Sequence, residues 1–322
     1  MPKDASAPTL AATDPANHAR TSAGHAESQP SRAPRLKTPE IVKRVFDRFP
    51  LRTYEACELP QGRTSSRDEH ALFVFTTQAD AKAGRSSYNP GCLKWQAYLR
   101  FQGLDFVTVP SNNHASPSGA LPYLLPAEAT SSGRAPIPST RLQRWLKDGD
   151  QSGAKRPQDR GSGEGRPSAD NQMRYDAYLS LLDHKIRNAY LYTLYLCPSN
   201  FDSIARPLYV DPSTSNSLAR LTVSIQLRDA AQAELLKQAA TIDAEVLYQG
   251  SCQAFEALSE LLGEGRYFFD EQKPGLFDAS VFAYTNILLD ETKTWKETRM
   301  LEDLRQFGNL VKHRERLLQQ YF

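Results

Sequence analysis

The chain has 322 residues, 40% hydrophobic and 24% charged, with a formal net charge of +2. That length suits one large or two ordinary globular domains, and the near-neutral charge gives no reason to expect nucleic acid or an anionic membrane surface as a partner. No apolar run approaches the roughly 18 residues of a bilayer span, so any membrane association is expected to run through partners.

The four cysteines, Cys57, Cys92, Cys197 and Cys252, are scattered. None forms a CxxC pair and no His/Cys cluster has zinc spacing, which points to a reducing compartment and to no resident metal or cofactor.

Residues 1–37 are rich in Ala, Ser, Pro and Thr and read as a disordered tail. A mitochondrial presequence is the competing reading. Asp4, Asp14, Glu27 and several prolines oppose it, because they spoil a basic amphipathic helix. Residues 38–70 read as an amphipathic helix and a connecting segment. Thr38 caps, Pro39 takes the first helical position, and Ile41, Val42, Val45, Phe46 and Phe49 form one stripe before Pro50. Such a stripe packs on its own domain or docks on a partner.

Residues 71–147 read as an α/β domain. Ala71–Thr77 is a strand; Asn89 caps a helix with Pro90 in its first turn, and Gly103 stops it after Phe101. Cys92, Leu93, Trp95, Ala97, Tyr98, Leu99 and Phe101 cover more than one face of that helix, which predicts that it is sandwiched between layers. Leu104–Val109 is a second, parallel strand and completes a βαβ unit. A polar loop over 110–120 precedes a third strand, Leu121–Leu125, led by Pro122. A short strand over Arg134–Ile137 and a helix opened by Ser139 through Leu142, Trp145 and Leu146 end the domain.

Residues 148–171 hold almost nothing apolar and read as a disordered linker. Residues 172–322 read as all helical. Tyr175, Tyr178, Leu182, Ile186, Ala189, Tyr190 and Leu194 keep helical period, with Tyr190 inward and Tyr192 freer. Pro198, Pro207 and Pro212 make 198–216 read as loop. Helices are predicted over Ser217–Ala240, Asp243–Leu262, Asp278–Leu289 and Asn309–Tyr321, with His184 and His313 on helix surfaces.

A βαβ start, a Pro-led strand, a linker and a helical second half together resemble the glutathione-transferase architecture. Asn89-Pro90-Gly91-Cys92 stands where thioredoxins carry CxxC. Pro117-Ser-Gly-Ala-Leu-Pro122-Tyr-Leu124 resembles the segment around the cis-proline, and Phe277-Asp278-Ala279-Ser280-Val281 the capping motif of the central second-domain helix. Within that superfamily the chain is most similar to the metaxins and their fungal relatives in the mitochondrial sorting and assembly machinery. The carriers are Tyr88–Arg100, Asn113–Pro122, Gly275–Tyr284 and the last helix from Asn309. The lack of a membrane span makes it resemble the smaller metaxin-like receptor subunit.

The resemblance implies a fold with an N-terminal thioredoxin-like domain and a C-terminal helical domain. It implies a place on the cytosolic face of the mitochondrial outer membrane, beside the integral β-barrel subunit and a second metaxin-like subunit. It also implies binding of the sorting signals of β-barrel precursors and a cis bond before Pro122. The backbone before that proline would pair with an extended ligand or merely shape the turn.

The alternative is a cytosolic glutathione-dependent transferase or peroxidase. Ser87, Tyr88 and Cys92 are the available hydroxyls and thiol at the first helix, and Cys92 at a helix N-terminus invites a lowered pKa. Against this, Cys92 has many apolar neighbours and reads as a small buried hydrophobe. Pro138-Ser139 replaces the acidic or amide residue plus serine that transferases carry at that position. His114 reads as a hydrogen-bonding loop residue, and Lys312, His313, Arg314 and Arg316 as a solvated basic face or a contact for anionic lipid. The expected partner-binding residues are Val42, Val45, Phe46, Phe49, Tyr88, Asn89, His114, Leu121 and Pro122, with no catalytic residue.

Overall fold

The computed structural model describes residues 69–127, 135–148 and 169–322. The expected tail (1–37), the amphipathic helix at 38–50 and the polar stretch 149–168 lie outside the described residues.

Strand β1 (His70–Val74) is central and buries Ala71, Leu72 and Val74. It pairs in parallel with β2 (Phe106–Pro110), Leu72 opposite Thr108. On its other side it pairs antiparallel with β3 (Tyr123–Leu125), and β3 pairs antiparallel with β4 (Ile137–Pro138), so the order is β2-β1-β3-β4. The edge strand β4 carries Pro138, where a missing ladder donor costs least.

Between β1 and β2 run a short helix, α1 (Gln78–Lys82), which the sequence reading omitted, and α2 (Pro90–Phe101). Asn89 Oδ1 accepts from the Cys92 amide at 3.1 Å and caps α2 as expected. At the other end Gly103 adopts φ +69°, and the Leu104 amide reaches back to the Leu99 carbonyl at 3.0 Å. Only glycine takes that left-handed position without cost. Gln96, buried in the middle of α2, accepts from the Ser87 amide (2.8 Å) and donates to the Arg85 carbonyl (3.0 Å), pinning the loop before the helix. Helix α3 (Ser139–Asp148) then buries Leu142 and Leu146.

The second half is helical. Helix α4 (169–196) is continuous and winds through two wide π-type segments, Leu182–Ile186 and Tyr192–Leu196. The stretch expected as loop is a correction. Pro198–Asn200 and Phe201–Val210 form a helix, α5 (198–210), with wide turns through Pro207. Pro198 sits at the first helical position, where it is harmless. Burial of Phe201, Ile204, Ala205 and Val210 overrides the local penalty of Pro207. Helices α6 (Ser217–Leu235), α7 (Ala244–Leu262), α8 (Leu276–Leu288), α9 (Arg299–Arg305) and α10 (Gly308–Tyr321) complete the chain. Helix α9 was not foreseen.

Every residue of α8 from Phe277 to Leu288 is buried, with α2 on one side and α10 on another. Asp278, its third residue, accepts from the Gly275 amide (2.9 Å) and the Phe268 amide (3.1 Å), and pairs with His313 Nε2 at 2.8 Å. His313 is therefore fully buried, a correction to its expected surface position. It lies on the inward face of α10, where Phe268 also packs on its ring. The supposed basic cluster is likewise split: Arg314 donates to Asn286 and Arg316 to the Arg266 carbonyl.

Candidate functional site

The N-terminus of α2 meets the C-terminal part of α5 in a notch where Tyr88 bonds to Leu208 and Asn89 to Tyr209, while the other described site residues, His114, Leu121 and Pro122, lie in the segment leading into β3. The Leu121–Pro122 peptide is cis, and Pro122 is buried beside the half-buried Leu121. The loop from Asn112 to Ala120 is closed by its own hydrogen bonds. Asn112 Oδ1 accepts from the Ala115 amide (3.1 Å), and Ser116 Oγ donates to the Ala120 carbonyl (2.6 Å). His114 stands exposed on the short 3₁₀ turn Asn113–Ala115.

The backbone edge expected to meet an extended ligand is already in use. Asn113 Oδ1 accepts from the Leu121 amide at 3.1 Å. An incoming strand would have to displace that side chain before pairing there.

The hydroxyl and thiol groups are engaged as well. Ser87 Oγ donates to the Phe75 carbonyl (2.5 Å) and accepts from the Asn89 amide (3.2 Å). Tyr88 Oη donates to the Leu208 carbonyl at 3.0 Å, and burial raises its pKa. Cys92 has no exposed surface, and burial pushes its thiol up to about 12, so it is a neutral thiol at pH 7. The dipole at the start of α2 does not rescue a thiolate, because desolvation of a fully buried group outweighs it.

What fills the notch is aromatic. Tyr209 packs edge-on against Tyr88 (5.1 Å between ring centroids) and Phe75 (5.4 Å), and its hydroxyl accepts from Asn89 Nδ2 at 3.2 Å. Tyr195 packs tilted against Tyr209, 6.0 Å between ring centroids, and burial pushes its hydroxyl up to about 12. Leu208, Tyr209 and Tyr195 thus shape the notch and Asn113 holds the loop at Leu121, and sequence reasoning assigned none of them a place in the site. Tyr209 was hidden by its neighbours Pro207 and Pro212, which made the segment read as loop. Tyr88 and Asn89 lie within this cluster; His114 and Leu121 lie on the loop beside it; Val42, Val45, Phe46 and Phe49 lie outside the described residues. Among the described residues no cluster of His, Cys, Asp and Glu has the makings of a metal site, and no helix is long and apolar enough to cross a membrane.

Three family models match. The N-terminal domain of glutathione S-transferase matches residues 90–200, and the C-terminal domain of the same family matches 252–317. The model described as SAM35, subunit of the SAM complex, matches residues 36–92. Metaxin-3 of Xenopus laevis is 27% identical over 248 residues, 74% of each chain. Among solved structures, a glutathione transferase family member from Pseudomonas fluorescens with two glutathione bound is 10% identical. It has a TM-score of 0.44 over 85% of this chain and 97% of its own. A glutathione S-transferase of Ceriporiopsis subvermispora in complex with glutathione is 14% identical, with a TM-score of 0.43 over 75% and 98%. From these family and sequence matches, the chain is a metaxin-like protein with the glutathione-transferase fold, a thioredoxin-like N-terminal domain followed by a helical one.

Proposed function

We propose that this chain is a non-catalytic, peripheral subunit of the mitochondrial outer-membrane machinery that sorts and assembles β-barrel proteins, held on the cytosolic face by its partners. The observation that carries this reading is the join at residues 90–92. A SAM35-type segment (36–92) runs directly into a transferase-type domain (90–200). The absence of catalysis in this reading is supported by the notch itself: a neutral buried thiol, a tyrosine hydroxyl spent on Leu208, and a backbone donor spent on Asn113.

In this reading the partners are the integral β-barrel subunit, a second metaxin-like subunit and β-barrel precursors. The stripe Val42, Val45, Phe46 and Phe49 docks on the barrel subunit, since the SAM35-type match covers it. Precursor signals meet the exposed loop that carries His114 and reaches Leu121-Pro122, with entry of an extended segment coupled to release of Asn113. Tyr88 and Asn89 act from behind, by holding Tyr209.

Deleting residues 38–50 tests the docking step. The tagged full-length chain is expected to co-purify the barrel subunit from mitochondria, and the deletion to lower the yield at least fivefold at equal expression. Unchanged yield removes the docking proposal. Retention on glutathione-agarose with turnover that Cys92→Ala or Tyr88→Phe abolishes would instead establish the transferase alternative.

A further inference from the structure

Among the described residues, helix α6 carries an apolar stripe that stays exposed. Leu218, Leu221 and Ile225 recur at helical spacing and are 74%, 59% and 50% exposed. Large aliphatic side chains in a contiguous row at that exposure mark an interaction face more than they mark scatter. Leu221 and Ile225 also line a groove of about 490 Å³ between α6 and α5, with Phe201 among its walls. The groove is built within residues 198–228, and nearly all of it falls in 201–251, between the two transferase-domain matches.

The charges around it have one dominant sign. Arg206, Arg220 and Arg228 line the groove against a single lining acid, Asp202. From Ser217 to Arg228 the only charged residues on α6 are arginines. Arg206 is loosely paired, 3.9 Å from both Asp202 and Asp211, while Arg220 lies 3.7 Å from the Asp211 carboxylate and donates to the Thr214 (2.7 Å) and Asp211 (3.2 Å) carbonyls. Arg228 is held over the Phe201 ring at 4.3 Å, and its buried Nε has no hydrogen-bond partner.

We infer that the α5–α6 groove is a docking site for an amphipathic helix of another protein, one that lays apolar residues at i, i+3/i+4 and i+7 on Leu218, Leu221 and Ile225 and presents carboxylates to Arg206 and Arg228. Apolar anchors in a groove, flanked by an excess of one sign of charge, are the requirements of helix-in-groove recognition. The concave shape of the groove, with Leu221 and Ile225 on one wall and Phe201 on the other, favours a narrow protein helix over the flat surface of a bilayer. The inference goes beyond the assembly-subunit reading and does not depend on which complex supplies the helix.

The test places a photo-cross-linker in the full-length chain, Leu221→p-benzoylphenylalanine, and irradiates it in intact mitochondria and in whole-cell lysate. The expected result is an adduct on one protein segment of acidic, amphipathic helical pattern. Adding Arg206→Glu is expected to cut its yield about tenfold, and changing the facing carboxylate of the partner to lysine is expected to restore it. An adduct to lipid, an adduct to a second copy of this chain, no adduct, or an adduct indifferent to Arg206→Glu overturns the inference. Co-purification of the barrel subunit is read from the same sample before irradiation. Co-purification without the adduct removes the groove alone, and the adduct without co-purification removes the assembly-subunit reading alone.

Discussion

Cys92 illustrates how far a side chain's neighbours outweigh its position. It occupies the start of a helix, where a thiol is ordinarily activated, yet it has no exposed surface and burial pushes its pKa up to about 12. At pH 8 the native protein is expected to leave Cys92 unlabelled by iodoacetamide over an hour, while the urea-unfolded chain is labelled within minutes. Fast native labelling, read by peptide mass spectrometry, would contradict the buried assignment. Asp278 is the opposite case, a residue whose role was visible in the sequence and proves larger in the fold. It satisfies the Gly275 amide as a helix-start residue should, and also the Phe268 amide and His313. Asp278→Ala leaves those buried donors without partners, and unfolding by urea is expected to show a loss of about 3–5 kcal/mol. A loss below about 1 kcal/mol would contradict this arrangement.

Among the elements, α2 and α8 were legible because their signals are local. A capping Asn, a Pro in the first turn and a stopping Gly mark α2, and a strongly apolar run with Asp at its third position marks α8. Helix α5 was not legible. Its prolines are local signals for loop, whereas its helicity depends on long-range burial of Phe201, Ile204, Ala205 and Val210. A second long-range tie holds its start. Asn200 is fully buried; its Nδ2 donates to the Thr193 and Glu297 carbonyls and its Oδ1 accepts from the Lys296 and Glu297 amides. One side chain therefore joins α4, α5 and the segment before α9. Asn200→Ala strands four backbone groups, and the expected cost is about 3 kcal/mol. Asn200→Asp is expected to cost at least as much, because it removes two donors and buries a charge. Both are measured by urea unfolding, and near-neutral values would show that the 296–297 segment does not need this anchor.

At the scale of the whole molecule, the two halves share one core through the contact of α2 with α8 and through side-chain ties. Tyr88 reaches the Leu208 carbonyl, Asn286 Nδ2 reaches Ser86 Oγ, and Arg100 donates to the Tyr321 carbonyl while stacking on Phe322. That core is rich in neutral phenols and a thiol. Burial raises the pKa of Tyr190, Tyr209 and Tyr284, pushes Tyr175 and Tyr195 to about 12, and pushes Cys92 to about 12. The sign follows from linkage. In the unfolded chain these groups ionise near 9.0 for the thiol and 10.0 for the phenols, while the folded protein keeps them neutral. Their contribution to stability is whole below about pH 9 and is lost as pH rises towards about 12, by up to about 1.4 kcal/mol per pH unit for each group in that window. The urea midpoint is therefore expected to stay level from about pH 7 to 8.5 and to fall steeply above about pH 9.5. A level midpoint up to about pH 11 would show that these hydroxyls are reached by water.

The sequence by itself determined the layers: a βαβ start, a Pro-led strand and a helical second half. Those features rest on local propensity, capping and periodicity, which act over a few residues and so can be read from them. It also shows that no second cysteine stands near Cys92 and that Pro138, not an acidic residue, precedes Ser139. Only the tertiary structure decided what occupies the notch, where His313 lies and which face stays uncovered. Tyr209 reaches Tyr88 across 121 positions, Asn113 turns onto Leu121, His313 meets Asp278 across 35, and Leu218, Leu221 and Ile225 stand exposed among the described residues. Periodicity says that such residues share a helix face, but only the packing of distant elements says whether that face is covered. For α6 the packing of the described residues leaves it open.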